Sequence, residues 1–148
     1  MDFRPLCLTA ALCWLISQPA WADEVTLADR DAVEQQTNDF MDKLHDGRVL
    51  AAYRSMEDVL GVEAEGFEEQ GESARDFFRQ VRERVGDPID HDRVRTASIK
   101  NHFYRLDYLQ KFEGAALAWE FTFYRPQNKW LLVGVSYSTE LEHLYRTD

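Results

Sequence analysis

The chain has 148 residues, with 27 acidic and 17 basic side chains and a formal net charge of -10. This acidic balance disfavours nucleic acid and anionic membrane surfaces as partners, and it is compatible with a cationic protein partner. Both cysteines, Cys7 and Cys13, lie near the N-terminus. The remainder of the chain therefore has no thiol, disulfide or cysteine-based metal chemistry, and we expect no cofactor and no metal.

The first 22 residues have the pattern of a cleavable signal peptide. An apolar run from Leu6 to Ile16 is followed by Ala20-Trp21-Ala22, the small-x-small form that a signal peptidase recognises. The run is much shorter than the roughly 20 residues that a membrane-spanning helix needs. We therefore predict cleavage after Ala22, a periplasmic or secreted location, no transmembrane segment, and a single domain over residues 23–148.

Helical spacing dominates the first half of this domain. Residues 26–45 are predicted to form a helix with one apolar stripe, and residues 48–56 a shorter second helix. Residues 57–72 carry seven acids, no base and three glycines, which predicts a mobile acidic loop with at most one helical turn. Ser73 is then expected to cap a third helix that runs to Val85 and ends at Gly86.

From Arg93 onward the apolar pattern alternates with a period of two. Four strands are predicted, over residues 93–100, 103–112, 115–125 and 130–138, and the tail 139–148 is expected to form a short helix. Helices followed by a meander of strands predict an α+β fold, with the N-terminal helices on one face of a bent antiparallel sheet of about four strands.

The predicted turns assign side chains to the two faces of the sheet. If Phe112 lies opposite Ala115 and Arg125 opposite Trp130, strand alternation gives one nearly apolar inner face and one mixed outer face. A ligand between the helices and the inner face would contact Tyr53, Tyr104, Trp119, Phe121 and Trp130. On the outer face, exposed apolar residues of the last strand predict a protein interface formed by Tyr124, Leu131, Val133, Val135 and Tyr137.

Three acidic or imidazole side chains are weak catalytic candidates. Asp107 and Glu120 are directly opposite in the predicted register, where two carboxylates about 5 Å apart repel by roughly 3 kcal/mol at an effective dielectric of 20. They would either share a proton as a general acid or be neutralised by Arg105 in a solvated charge network, and the network is the favoured interpretation. His102 is a candidate lone acid or base, although such a histidine is more often structural.

The segment 86–92, with the sequence GDPIDHD, groups three aspartates and one histidine in a predicted loop. Its spacing does not follow the alternating ligand pattern of common metal-binding loops, so we predict no metal site there.

Three stretches resemble the nuclear transport factor 2-like superfamily, and more narrowly its small bacterial periplasmic domains of unknown function. They are MDKLHDGRVLAAYRSM, FFRQVRERVGDP and WEFTFYRPQNKWLLVGVSY, which begin at Met41, Phe77 and Trp119. The resemblance implies a cone-shaped domain whose bent sheet wraps the helices, and homodimerisation through the outer sheet face. Members of the superfamily include isomerases, dehydratases and non-catalytic binding domains, and no Asp/His motif of the enzymes is matched here.

The favoured hypothesis is a non-catalytic periplasmic module that self-associates and binds a small apolar ligand or a protein. A second hypothesis is an isomerase or dehydratase that uses His102, Asp107 or Glu120 in a closed pocket. A third is an acidic inhibitor or immunity protein that blocks a cationic envelope enzyme or toxin through residues 57–72.

Overall fold

The computed structural model describes residues 26–145, so the predicted signal peptide lies outside the described residues. The fold is α+β, with helices packed on one face of an open four-stranded antiparallel sheet. The helices are α1 (Arg30–His45), α2 (Val49–Arg54) and α3 (Ala64–Val85), and the strands are β1 (Pro88–Ile99), β2 (Phe103–Phe112), β3 (Ala116–Tyr124) and β4 (Leu131–Ser138). Short 3-10 turns lie at Glu57–Val59 and Glu142–Tyr145. Between residues 26 and 145, no helix has both the length and the apolar character needed to cross a bilayer.

Helix α1 begins and ends where local chemistry favours it. The Asp29 carboxylate accepts a hydrogen bond of 2.8 Å from the backbone N–H of Ala32, which caps the first turn. At the other end Gly47 has a φ of +75°, a conformation that glycine adopts without a Cβ clash. The predicted apolar stripe of α1 is confirmed, since its buried residues are Val33, Thr37, Phe40, Met41 and Leu44.

The prediction of an acidic loop over residues 57–72 is wrong. Apart from the turn at Glu57–Val59, most of this segment belongs to α3, which begins at Ala64 rather than at Ser73. A buried stripe at helical spacing, formed by Phe67, Gly71, Ala74 and Phe78, holds the helix against the core. The seven acids are all exposed, so none of them has to be buried when the helix forms. Glutamate is also a good helix former, and a negative charge near the N-terminus of a helix is stabilised by the helix dipole.

The sheet follows the chain in the order β1-β2-β3-β4. Lys111 pairs with Ala116, and the Phe112 N–H donates to the Ala115 carbonyl at 2.8 Å, which confirms the predicted turn between β2 and β3. The predicted loop over residues 86–92 is wrong in part, because β1 already begins at Pro88.

The predicted inner face is confirmed as the core. Its nine residues are all buried: Tyr104, Leu106, Tyr108, Leu117, Trp119, Phe121, Phe123, Trp130 and Leu132. Phe40 of α1 packs edge-on against Trp119 and Phe121, with ring centroids 5.8 and 5.1 Å apart. This aromatic packing fixes α1 on the inner side of the sheet.

A bulge in β4 changes which of its residues face outward. Tyr124 pairs with Leu131 as predicted, but Thr122 pairs with Gly134, so Val133 is an extra residue in the strand. Beyond this bulge, Val135 and Tyr137 lie opposite Phe121 and Trp119 on the inner face. The prediction that Val135 and Tyr137 point outward is therefore wrong, and Tyr137 packs on Trp119 with ring centroids 5.0 Å apart.

Candidate functional site

The outer face of the sheet is divided into two halves by the C-terminal tail. Leu141 and Leu144 line an open cavity together with Val94 and Leu109, and Arg95 donates a hydrogen bond of 3.0 Å to the backbone carbonyl of His143. The tail therefore lies over part of the half of the face nearest the β2–β3 turn, where Val94 remains 46% exposed. The other half, near the β1–β2 turn, has no such cover from the described residues.

A buried ion cluster lies at the boundary between the two halves. Asp107 is only 1% exposed although it lies on the outer face, and Arg95 and Arg105 both approach its carboxylate. Arg95 Nε donates to Asp107 Oδ2 at 2.6 Å, and Arg105 Nε lies 3.3 Å from Oδ1. Arg105 also reaches Glu120, with 3.6 Å between the guanidinium and the carboxylate.

The charges of this cluster offset one another, but within residues 26–145 neither Arg105 Nε nor Asp107 Oδ1 makes a hydrogen bond. The predicted pairing of Asp107 with Glu120 across the strands is confirmed, and so is the position of Arg105 beside both carboxylates. Arg95, which the sequence reasoning missed, supplies a second cation because it pairs with Asp107 across β1 and β2. The favoured interpretation of these residues, a charge network across the strands, therefore describes the contacts observed.

The uncovered half carries an apolar row at its edge, which we name the outer patch: Ile99, Phe103 and Tyr124. Ile99 is 66% exposed, and the other two side chains are each 37% exposed. The rings of Phe103 and Tyr124 stack with centroids 4.9 Å apart. An open groove of about 410 Å³ runs from this patch to Arg105 and Glu120. Large exposed apolar side chains beside a polar pair are typical of a protein-binding surface.

Three of the residues predicted for an interface remain on the outer side. Tyr124 is part of the outer patch, whereas Leu131 and Val133 are half-buried beside Gly61 at the edge of β4. The Gly61 N–H donates to the Leu132 carbonyl at 2.8 Å, so the segment before α3 partly covers this edge.

The residues predicted for an internal ligand pocket form packed core instead. Tyr53, Tyr104, Trp119, Phe121 and Trp130 are all buried, and they contact one another or Phe40 through their rings. A ligand would have to displace these rings to occupy that position. His102 is exposed in the β1–β2 turn, where its carbonyl accepts a hydrogen bond from Arg125 N–H at 2.9 Å.

A polar seam joins α1 to the sheet. Glu34 accepts a hydrogen bond of 2.5 Å from the Tyr104 hydroxyl and pairs with Arg93 at 2.5 Å, while the Tyr108 hydroxyl donates to Asn38 at 2.6 Å. Burial alone would raise the pKa of Glu34, but the hydrogen bonds from Tyr104 and Arg93 outweigh it and lower that pKa. Burial of Tyr104, together with its hydrogen bond to the Glu34 carboxylate, raises the pKa of Tyr104 to about 12. The seam therefore attaches α1 to strands β1 and β2.

The side chains of segment 86–92 are held by partners of their own. Arg82 donates to Asp87 at 2.9 Å, Lys111 bridges Asp90 and Asp92 at 3.0 and 2.9 Å, and His91 Nε2 lies 2.9 Å from an Asp42 oxygen. Within residues 26–145, no group of three or more histidine, cysteine, aspartate or glutamate side chains is arranged to hold a metal ion.

The chain matches no family model, no curated protein and no solved structure.

Proposed function

We propose that this chain is a non-catalytic periplasmic or secreted accessory module that binds protein through the uncovered half of its outer sheet face. A second copy of the chain is the occupant we expect. The observation that carries the proposal is the outer patch, where Ile99, Phe103 and Tyr124 are exposed beside the Arg105–Glu120 pair. Burial of such side chains contributes about 25 cal/mol per Å² of apolar surface removed from water.

The charges beside the outer patch favour a second copy over an unrelated partner. A two-fold interface uses the same surface on both subunits, so that surface must complement itself. Arg105 and Glu120 are neighbours of opposite charge, with side chains 36% and 35% exposed. A copy related by a two-fold axis that crosses the line between Arg105 and Glu120 would set each arginine against the glutamate of the other copy.

The tail limits the area that such a dimer can use. Because Leu141 and Leu144 lie beside Leu109 and Val94, we expect the contact to be confined to the half that contains the outer patch. Small interfaces are typical of weak association, so we expect a dimer that forms reversibly with protein concentration.

We also propose that the domain is a divergent, cone-shaped member of the nuclear transport factor 2-like superfamily. The support is the order of three helices followed by a four-stranded meander, with an aspartate-glycine corner after α1. Many members of that superfamily form homodimers through the outer sheet face. The charges of Arg105 and Glu120 favour the same kind of dimer for this chain.

Sedimentation velocity over a range of concentrations tests the interface. Wild-type protein should shift from monomer to dimer as concentration rises, and Tyr124→Ser should weaken that shift because it removes half of the stacked pair. Tyr145→Ser is the matched control, since Tyr145 is 82% exposed in the tail and lies outside the outer patch. A strict monomer at tens of micromolar, or equal effects of the two variants, would contradict the proposal.

Charge exchange tests the two-fold geometry itself. Arg105→Glu sets like charges against each other in its own homodimer, and Glu120→Arg does the same with cations. A mixture of the two variants restores both opposite-charge pairs, so the heterodimer should form more readily than either homodimer. Because Arg105 also lies 3.3 Å from the buried Asp107 carboxylate, circular dichroism first tests whether each variant is folded, and Arg105→Gln replaces Arg105→Glu if the latter is not. A mixture of folded variants that associates no better than its components would exclude this interface.

A further inference from the structure

A cavity on the helix side of the sheet lies between α3, the α1–α2 corner and the end of β2. Its volume is about 290 Å³, close to the lower end of the range for small-molecule sites. Buried apolar side chains form its floor: Leu44, Val49, Phe78 and Phe112. The cavity does not involve the ligand-pocket residues predicted from the sequence, and it lies on the opposite side of the sheet from the outer patch.

One polar group in the floor lacks a partner. Gln110 is 0% exposed, and its side-chain oxygen accepts a hydrogen bond of 2.9 Å from the Trp119 indole N–H. That bond fixes the orientation of the amide, and it leaves the Gln110 Nε2 group buried without a hydrogen-bond partner in the described part of the chain. An unsatisfied buried N–H group costs about 1–3 kcal/mol, so an acceptor atom that reaches it is favoured. Because no surface of Gln110 is exposed to solvent, a floor side chain must shift to admit that acceptor.

The rim of the cavity is cationic although the chain is acidic. Arg75, Arg79 and Arg82 line it from successive turns of α3, together with a single acid, Glu83. Arg82 is paired with Asp87, whereas Arg75 and Arg79 both approach the one carboxylate of Asp76, at 3.3 and 3.5 Å. Two guanidinium groups that share one exposed carboxylate retain the capacity to bind a second anion.

We propose that this cavity binds a small amphipathic carboxylic acid. The carboxylate lies at the rim between Arg75 and Arg79, the apolar body packs on Phe78 and Phe112, and a carbonyl or hydroxyl oxygen on that body accepts from Gln110 Nε2. The site is independent of self-association, because the sheet separates it from the outer patch.

Three compounds of similar skeleton test the assignment in titrations followed by amide chemical shifts in NMR. They are phenylbutyrate, its alcohol phenylbutanol, and benzoylpropionate, which adds a ketone oxygen inside the body. We expect saturable binding with shifts at the Gln110 side-chain amide, and affinity that falls in the order benzoylpropionate, phenylbutyrate, phenylbutanol. Equal affinity of the acid and the alcohol, or shifts that do not include Gln110, would overturn the proposal.

Variants separate the two recognition elements. Arg75→Gln combined with Arg79→Gln should weaken phenylbutyrate binding by about tenfold, as expected for loss of charge-assisted hydrogen bonds. Arg84→Gln, an exposed arginine of α3 that does not line the cavity, should leave the affinity unchanged. Gln110→Met should abolish the preference for benzoylpropionate over phenylbutyrate. If Gln110→Met does not fold, the arginine variants alone decide, and an unchanged affinity in them refutes the site.

Discussion

At the scale of single residues, Asp107 illustrates how a buried charge depends on its partners. Its carboxylate is stabilised by Arg95 at 2.6 Å and by Arg105 at 3.3 Å, and its position on the outer face made it look solvent-exposed in the sequence. Arg95 is in turn held by the tail through the His143 carbonyl. The cluster therefore links the sheet to the tail.

Removing Arg95 should destabilise the fold. Because Arg95→Gln leaves a buried carboxylate with less compensation, we expect the free energy of unfolding to fall by roughly 2–4 kcal/mol, which urea denaturation measures. The double variant Arg95→Gln with Asp107→Asn should recover part of this loss, since it removes the uncompensated charge. Arg79→Gln is the exposed control. A loss no larger in Arg95→Gln than in that control would show that the cluster does not stabilise the fold.

Glu34 should make stability depend on pH in a defined direction. Its folded-state pKa lies below the ordinary value of 4.5, so its ionised form is stabilised in the folded protein. This contribution is present above the unfolded-state pKa and is lost as pH falls through the folded-state pKa. Glu34→Gln should therefore destabilise the protein near neutral pH, and the difference from wild type should shrink in acid.

Denaturant unfolding of both proteins at about pH 7 and about pH 3 measures this difference. Glu69→Gln, a change at an exposed acid of α3, controls for the removal of one negative charge. A difference between Glu34→Gln and wild type that stays constant over this range would contradict the stabilising role of the ionised carboxylate.

At the scale of elements, α3 shows why a glycine-containing acidic segment folds as a helix. A Cβ added at Gly66 would meet no atom within 4 Å, whereas a Cβ at Gly71 would lie 3.0 Å from Tyr53 Cγ. Gly71 therefore allows α3 to approach the Tyr53 ring closely, and Gly66 has no comparable packing role.

Two alanine substitutions should consequently have opposite signs. Gly66→Ala should raise the free energy of unfolding by about 0.5–1 kcal/mol, because alanine is the better helix former. Gly71→Ala has the same gain in propensity, but its methyl group must displace the Tyr53 ring, and overpacking typically costs about 1–3 kcal/mol. Thermal or urea unfolding of the two variants compares them directly, and stabilisation by both would refute the close packing.

The elements also show what can be predicted from one sequence. The apolar stripe of α1 and the inner face of β2 and β3 were predictable from the spacing of apolar residues and from a turn with an even number of residues. Local spacing alone determines those faces. The bulge at Val133 adds one residue without a sequence signal, and it reverses the faces of Val135 and Tyr137. Arg95 and Gln110 acquire their roles only through contacts with the tail and with Trp119, which the local sequence pattern does not reveal.

At the scale of the whole molecule, the tail determines how much of the outer face is available. Leu141 and Leu144 lie beside Leu109 and Val94 on this face, and they do not line the groove at the outer patch. The contacts that attach the tail include the leucine side chains and the hydrogen bond from Arg95. The tail therefore competes with a second copy for part of the same face.

Ending the chain after Ser138 should change both stability and association. The loss of two partly buried leucines and one hydrogen bond should lower the free energy of unfolding by about 1–3 kcal/mol. Removing the tail frees more of the Leu109 and Val94 surface on the same outer face, so self-association should strengthen, as sedimentation velocity would show. Adding Tyr124→Ser to the shortened chain should weaken association again. If the shortened, folded chain associates no more strongly than the full chain, the tail does not restrict the proposed interface.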